Sequence, residues 1–154
     1  MLAPRTIFDH VINLKEWAEP LWDPIYPMSR HQLQELHKNI KTMLAQGKIV
    51  DHKSPYWAPI LLFPNPDGSL RLCVDLRKLN KLVTIVNKYP LPLIDELRDG
   101  VAGPKVFTIL NLKDGYHLIR MTKGNAHKTA FHTRYGQYKH KVTPFKLVNG
   151  PATF

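Results

Sequence analysis

The chain has 154 residues and a formal net charge of +10, from 22 Lys+Arg against 12 Asp+Glu. That length allows one domain with a real core, and no run approaches the ~18 apolar residues that would span a membrane. With Cys73 as the only cysteine, an internal disulfide is excluded, which fits a reducing intracellular compartment, cytoplasm or nucleus.

The basic excess favours a polyanionic partner, nucleic acid being the commonest; the plain alternative is a solvated basic surface. No basic stretch followed by an apolar run opens the chain, so no secretory leader is expected. The 13 prolines are spread along the sequence and read as strand ends and turns.

Residues 1–27 read as an extended arm, because Pro4, Pro20, Pro24 and Pro27 block a long helix. Trp17, Trp22 and Tyr26 are expected to anchor that arm. Ser29 is a helix N-cap, and Leu33, Leu36, Ile40, Met43 and Leu44 recur at helical spacing up to Gly47, where a left-handed cap belongs. Two apolar runs, 57–63 and 70–76, flank the turn cluster Asn65-Pro66-Asp67-Gly68-Ser69 and predict a β-hairpin. Residues 88–92 read as an extended linker and 93–97 as a short helix. The run 106–112 is the best buried-strand candidate, with further strands expected over 116–121, 129–133 and 137–142. Residues 150–154 resemble the first turn of a helix. The class is α+β, with an antiparallel sheet and flanking helices.

Four features bear on chemistry. Arg71 lies just past the hairpin turn, followed by Arg77, Lys78 and Lys81. Guanidinium groups on a hairpin make a phosphate clamp, since they give bidentate, permanently charged contacts; ordinary solvated cations are the alternative. Asn111 ends an apolar run and Asp114 follows three residues later. Nucleotidyl transfer needs two divalent ions about 4 Å apart held by carboxylates, and Asp114 taken alone reads as a turn or cap residue. The eight histidines form no zinc pattern. Lys139-His140-Lys141, with Lys128, Arg134, Tyr135 and Tyr138, suits either a nucleic-acid-facing surface or a charged strand edge.

Several blocks in order carry a resemblance. They are Pro24-Ile25-Tyr26-Pro27-Met28-Ser29, Ser54-Pro55-Tyr56-Trp57-Ala58-Pro59, Asp67-Gly68-Ser69-Leu70-Arg71-Leu72-Cys73-Val74-Asp75-Leu76-Arg77-Lys78-Leu79-Asn80 and Tyr89-Pro90-Leu91-Pro92-Leu93-Ile94-Asp95-Glu96-Leu97. After these come Ile109-Leu110-Asn111-Leu112-Lys113-Asp114-Gly115-Tyr116-His117, Lys128-Thr129-Ala130-Phe131-His132-Thr133-Arg134-Tyr135-Gly136 and Asn149-Gly150-Pro151-Ala152-Thr153-Phe154. Together they resemble the N-terminal part of a reverse transcriptase, an RNA-directed DNA polymerase, most closely the gypsy-type long-terminal-repeat retrotransposon enzymes.

The resemblance implies an arm (1–27), a fingers-like region (28–104) and a partial palm (105–154). It implies that Arg71, Leu112, Gly115, Tyr116 and Phe145 face an incoming nucleotide, with Tyr116 under the sugar. Asp75, Arg77 and Asn80 match template–primer positions. Asn111 stands where the family has its first catalytic aspartate, and Asn111 with the Leu112 carbonyl would match the Mg²⁺ site. In the family reaction a primer 3′-hydroxyl attacks the α-phosphate of a deoxynucleotide. Neutral Asn111 is expected to cripple that site, and the chain stops before the family's Tyr-x-Asp-Asp hairpin. Lys146 replaces a family glycine, Thr143 an apolar residue and Gly150 an alanine. The expectation is a reverse-transcriptase fragment that is inactive alone, binding an RNA or DNA template–primer and no membrane. The alternative is a non-catalytic nucleic-acid-binding or protein-interaction module that docks on a complementary polymerase chain.

Overall fold

The computed structural model describes residues 2–66, 68–87, 93–103, 105–110, 112 and 114–153. The expected linker over 88–92 and the pivotal Asn111 lie outside these described residues.

Helix α1 spans Arg30–Ala45. The Ser29 hydroxyl accepts from the Gln32 N–H at 3.2 Å, and the Gln32 amide oxygen accepts from the Ser29 N–H at 2.9 Å, which closes a capping box. Leu36 and Ile40 are buried and Leu33, Met43 and Leu44 pack beside them, as the spacing predicts. At the other end Gly47 takes φ 69°. Its N–H donates to the Leu44 carbonyl and the Lys48 N–H to the Met43 carbonyl, both at 2.9 Å. This Schellman closure turns the chain sharply into Lys48.

Strand β1 is Ile49–Asp51, and β2 (Ile60–Pro64) pairs antiparallel with β3 (Leu70–Val74) in the expected hairpin. Asn65 and Ser69 close its turn through a 2.7 Å backbone bond and a 2.8 Å side-chain bond. A single π-helical turn, Leu79–Val83, follows. Helix α2 (Ile94–Gly100) confirms the expected short helix, with no buried residue. Strands β4 (Phe131–Thr133) and β5 (Gly136–His140) flank a tight turn, and the second sheet runs in the order β1-β5-β4, all antiparallel. Helix α3 is Gly150–Thr153.

Three expectations need correction. The described residues of 106–112 do not form the expected buried strand: Val106, Ile109 and Leu110 are 85%, 91% and 84% exposed, and none of those described is in a strand. A strand exists only with a hydrogen-bonded neighbour, and none of the described strands lies beside this run. Residues 116–121 are not a strand either. Asp114 sits in the left-handed region at φ 54° and starts a 3₁₀ turn over Gly115–Leu118, leaving only bridges from Arg120 to Val142 and from Met121 to His10. The arm is extended as expected, but Trp17 and Trp22 remain 67% exposed. Its anchors are His10 and Ile12, each 1% exposed. His10 donates its N–H to the Arg120 carbonyl at 2.6 Å and accepts from the Thr122 N–H at 3.0 Å. Lys15 and Asn13 bond to Val83 and Ile85 at 2.8 Å. Tyr26 does engage, donating to Asp75 Oδ2 at 3.2 Å.

The core joins Ile12, Leu36, Ile40, Ile49, Ile60, Val74, Met121 and Phe131. It therefore draws on the arm, on α1 and on both sheets. No described helix is long and apolar enough to cross a membrane.

Candidate nucleotide and nucleic-acid site

A cleft of about 730 Å³ opens between α1, the β2–β3 hairpin, the Asp114–His117 turn and the loop at Pro144–Phe145. Four of the five expected nucleotide-facing residues line it: Arg71, Gly115, Tyr116 and Phe145. They come from three separate stretches of sequence. Leu112, the fifth, does not line it and is 59% exposed. Arg71 projects from β3 opposite Phe63 and is solvent-exposed. The Tyr116 and Phe145 rings meet edge to face at 5.9 Å, the arrangement that aligns ring edges with ring faces. Gly150, at the start of α3, backs the Tyr116 ring; a Cβ there would lie 3.4 Å from it.

The expected template–primer residues divide. Asp75 and Arg77 are bound to each other by a two-pronged pair, Nε to Oδ1 at 2.9 Å and Nη2 to Oδ2 at 2.6 Å. The Arg77 guanidinium holds the Asp75 carboxyl down at about 2, and Asp75 in turn raises Arg77 above its ordinary value. Asn80 is tied to a neighbouring loop. Its amide donates to the Lys146 carbonyl at 2.7 Å and accepts from the Val148 N–H at 3.0 Å. It thus clamps the loop that presents Phe145.

Sequence reading missed the cleft's other wall. Lys38, Asn39 and Thr42 of α1 line it, and so does Lys48. Lys48 Nζ bonds to Asp114 Oδ2 at 3.0 Å, 66 residues away in sequence. The Gly47 cap was legible and sets Lys48's direction, but nothing local reveals its partner. His117 Nδ1 is buried without a hydrogen-bond partner, 3.9 Å from the same Asp114 oxygen, and its burial lowers its basicity. His140, at the cleft floor, is buried and pushed down to about 4, chiefly by loss of water.

Comparisons with known proteins agree with this geometry. The family model for Reverse transcriptase (RNA-dependent DNA polymerase) matches residues 63–154. The chain belongs to the reverse transcriptase family. The Pol polyprotein from transposon 297 of Drosophila melanogaster is 37% identical over 94% of the chain. A transposon Tf2-3 polyprotein of Schizosaccharomyces pombe is 39% identical over 84%. The chain spans only 14% and 10% of these two relatives. Among solved structures, the prototype foamy virus protease-reverse transcriptase superposes with a TM-score of 0.83 over 100% of this chain, 20% of the viral one, at 24% identity. The foamy viral enzyme in complex with double-stranded DNA gives 0.79 over 100% of this chain and 27% of that one, at 23% identity. These establish an α+β reverse-transcriptase fold with antiparallel sheets.

Reverse transcriptases generally depend on divalent metal, but the described residues of this one do not fit a metal. No three His, Cys, Asp or Glu side chains among them converge. Beyond residue 100 the sequence holds a single carboxylate, Asp114, and it is engaged by Lys48.

Lys146 occupies the left-handed region at φ 74°, which costs a residue with a Cβ about 1–2 kcal/mol. Its ammonium lies 4.9 Å from the centre of the Phe63 ring, a contact that returns about 0.5–1 kcal/mol. Lys146→Gly should therefore raise the unfolding free energy by about 0.5 kcal/mol. Lys146→Ala, which keeps the strain and loses the cation–π contact, should lower it. Urea-melt midpoints of the two variants should move in opposite directions.

Proposed function

We propose that the chain is the nucleotide- and template–primer-engaging part of a gypsy-type reverse transcriptase, and that by itself it binds without polymerising. The observation that carries this reading is the convergence of Arg71, Gly115, Tyr116 and Phe145 on one cleft. Arg71 would hold the triphosphate, and Tyr116, with Phe145 at its edge, would take the sugar. Asp75 and Arg77 would meet the template side as a paired unit. The division into an arm (1–27), fingers (28–104) and partial palm (105–154) belongs to the same proposal. Asn111 is why catalysis should fail: an amide brings no charge to balance two Mg²⁺ ions, and Asp114 is already bound to Lys48.

The test is fluorescence anisotropy of the purified chain with a primer–template duplex, titrated with salt, with and without Mg²⁺. Affinity should fall by ~0.9 log unit per phosphate contact for each log unit of salt and should not depend on Mg²⁺. Arg71→Ala should weaken deoxynucleotide triphosphate binding about tenfold, the loss of one charge-assisted contact. Absence of duplex binding at low salt would remove the binding claim, and primer extension by the pure chain would remove the claim of inactivity.

A second reading, docking on a complementary polymerase chain, is favoured by the exposure of Val106, Ile109 and Leu110. It requires concentration-dependent association in sedimentation; a monomer at all concentrations would exclude self-docking.

A further inference from the structure

The β1-β5-β4 sheet presents two surfaces, and the cleft uses only one of them. Side chains alternate across a strand. On β5, Tyr138 and His140 point inward and are buried, and His140 reaches the cleft. Gln137 and Lys139 therefore point the other way, and Lys141 follows just past the end of the strand. Register extends this outward row to neighbouring strands: Val50 lies opposite Lys139, and His132 opposite Gln137. His52 continues β1, with its N–H donating to the Gln137 carbonyl at 3.0 Å. The exposed ring of this face is thus not the buried Tyr138. It is Trp57, 45% exposed, whose ring meets that of His132 at 5.4 Å.

Trp57 is held rigidly at the edge of this face. Its indole N–H donates to the Ser54 carbonyl at 2.7 Å. The Gln137 amide brackets the same residue, accepting from its N–H and donating to its carbonyl, both at 3.2 Å. The Ser54 hydroxyl donates to the His127 carbonyl at 2.9 Å. His52 and His127 are held below the ordinary histidine value by burial, and the Lys139 charge adds to this. One carboxylate borders the face among the described residues: Asp23, beside His132 and tied to Lys78; Asp51, opposite Tyr138 on β1, falls on the other side by the same alternation.

We propose that this outward face, with Lys139 and Lys141 beside Trp57 and His132, is a second binding surface, for single-stranded nucleic acid. A fixed ring offers a stacking platform that accepts any base, and the lysines meet the phosphates on either side. The pleat places this surface on the opposite side of the sheet from the Arg71–Tyr116 cleft, and the proposal shares with that cleft only its class of ligand. A strand can therefore occupy this face without entering the cleft.

The experiment measures fluorescence anisotropy of labelled oligothymidine and oligouridine on the full chain, beside the primer–template duplex. Trp57→Ala, and the double variant Lys139→Glu with Lys141→Glu, should each weaken single-strand binding about tenfold. Trp57→Phe should retain most of it. Arg71→Ala should leave it within about twofold while weakening triphosphate binding. Single-strand binding unmoved by the lysine reversals, or lost only with Arg71→Ala, overturns the proposal. Circular dichroism checks folding. Should Trp57→Ala unfold, the lysine pair, half-buried and outside the core, decides. Loss of duplex and triphosphate binding with single-strand binding intact would refute the cleft reading and leave this one standing.

Discussion

Replacing Phe131 by alanine should lower the unfolding free energy by about 3–5 kcal/mol, enough to leave little of the stability of a domain this size. Phe131 is the largest of the fully buried side chains and has no exposed surface. Its ring lies 5.0 Å from His140 and 5.7 Å from Tyr138. Its backbone pairs with Tyr138 on one side and bridges to Ala58 on the other. It is thus the packing joint between the three-stranded sheet and the segment entering the hairpin. Truncation would open a cavity that a strand bridged on both edges cannot collapse to fill. Phe131→Leu, which keeps most of the volume, should cost less than half as much. Equal losses for the two variants in urea melts would show that the site tolerates a void.

Acidification should destabilise the chain in a window set by histidine. Burial lowers the basicity of His10, His117, His132 and, most of all, His140, which is pushed down to about 4. The unfolded chain takes up these protons near pH 6.5, whereas folded His140 resists until about 4. Between those values the unfolded state holds more protons, so stability falls as pH falls. The gap from 6.5 to about 4 at His140 corresponds to roughly 3 kcal/mol. Asp75, held at about 2, adds its loss only below the ordinary carboxylate range. Urea midpoints should therefore drop between pH 6.5 and 4, and His140→Gln should flatten that slope even if it shifts the whole curve. A flat profile above pH 4 would contradict the buried neutral imidazole.

What the sequence disclosed and what it hid follow the range of each interaction. Helix α1 was legible because the Ser29–Gln32 box and the Gly47 cap are decided within a few residues. The hairpin was legible because Asn65 and Ser69 close its turn locally. Residues 106–112 misled because their apolar pattern describes a strand face while saying nothing about a neighbouring strand. Residues 116–121 misled because the left-handed Asp114 diverts the chain just before them. The cleft was half legible. Arg71, Tyr116 and Phe145 were found through family resemblance, whereas the Lys48–Asp114 pair and the α1 wall depend on contacts distant in sequence. The clamp of Asn80 on Lys146 and Val148 cannot be seen one-dimensionally.

The stitched arm has a kinetic consequence. His10 bonds to residues 120 and 122, and Trp22 bridges to Trp57, so the arm is synthesised well before the residues that hold it in place. Closing a loop of more than a hundred residues adds only modest entropy but raises the contact order. Folding should therefore run on the slower, milliseconds-to-seconds scale of non-local topologies. Until residue 122 has emerged, the apolar side of the arm, Ile12 included, has no bed to lie in, and that interval is when the nascent chain most needs a chaperone.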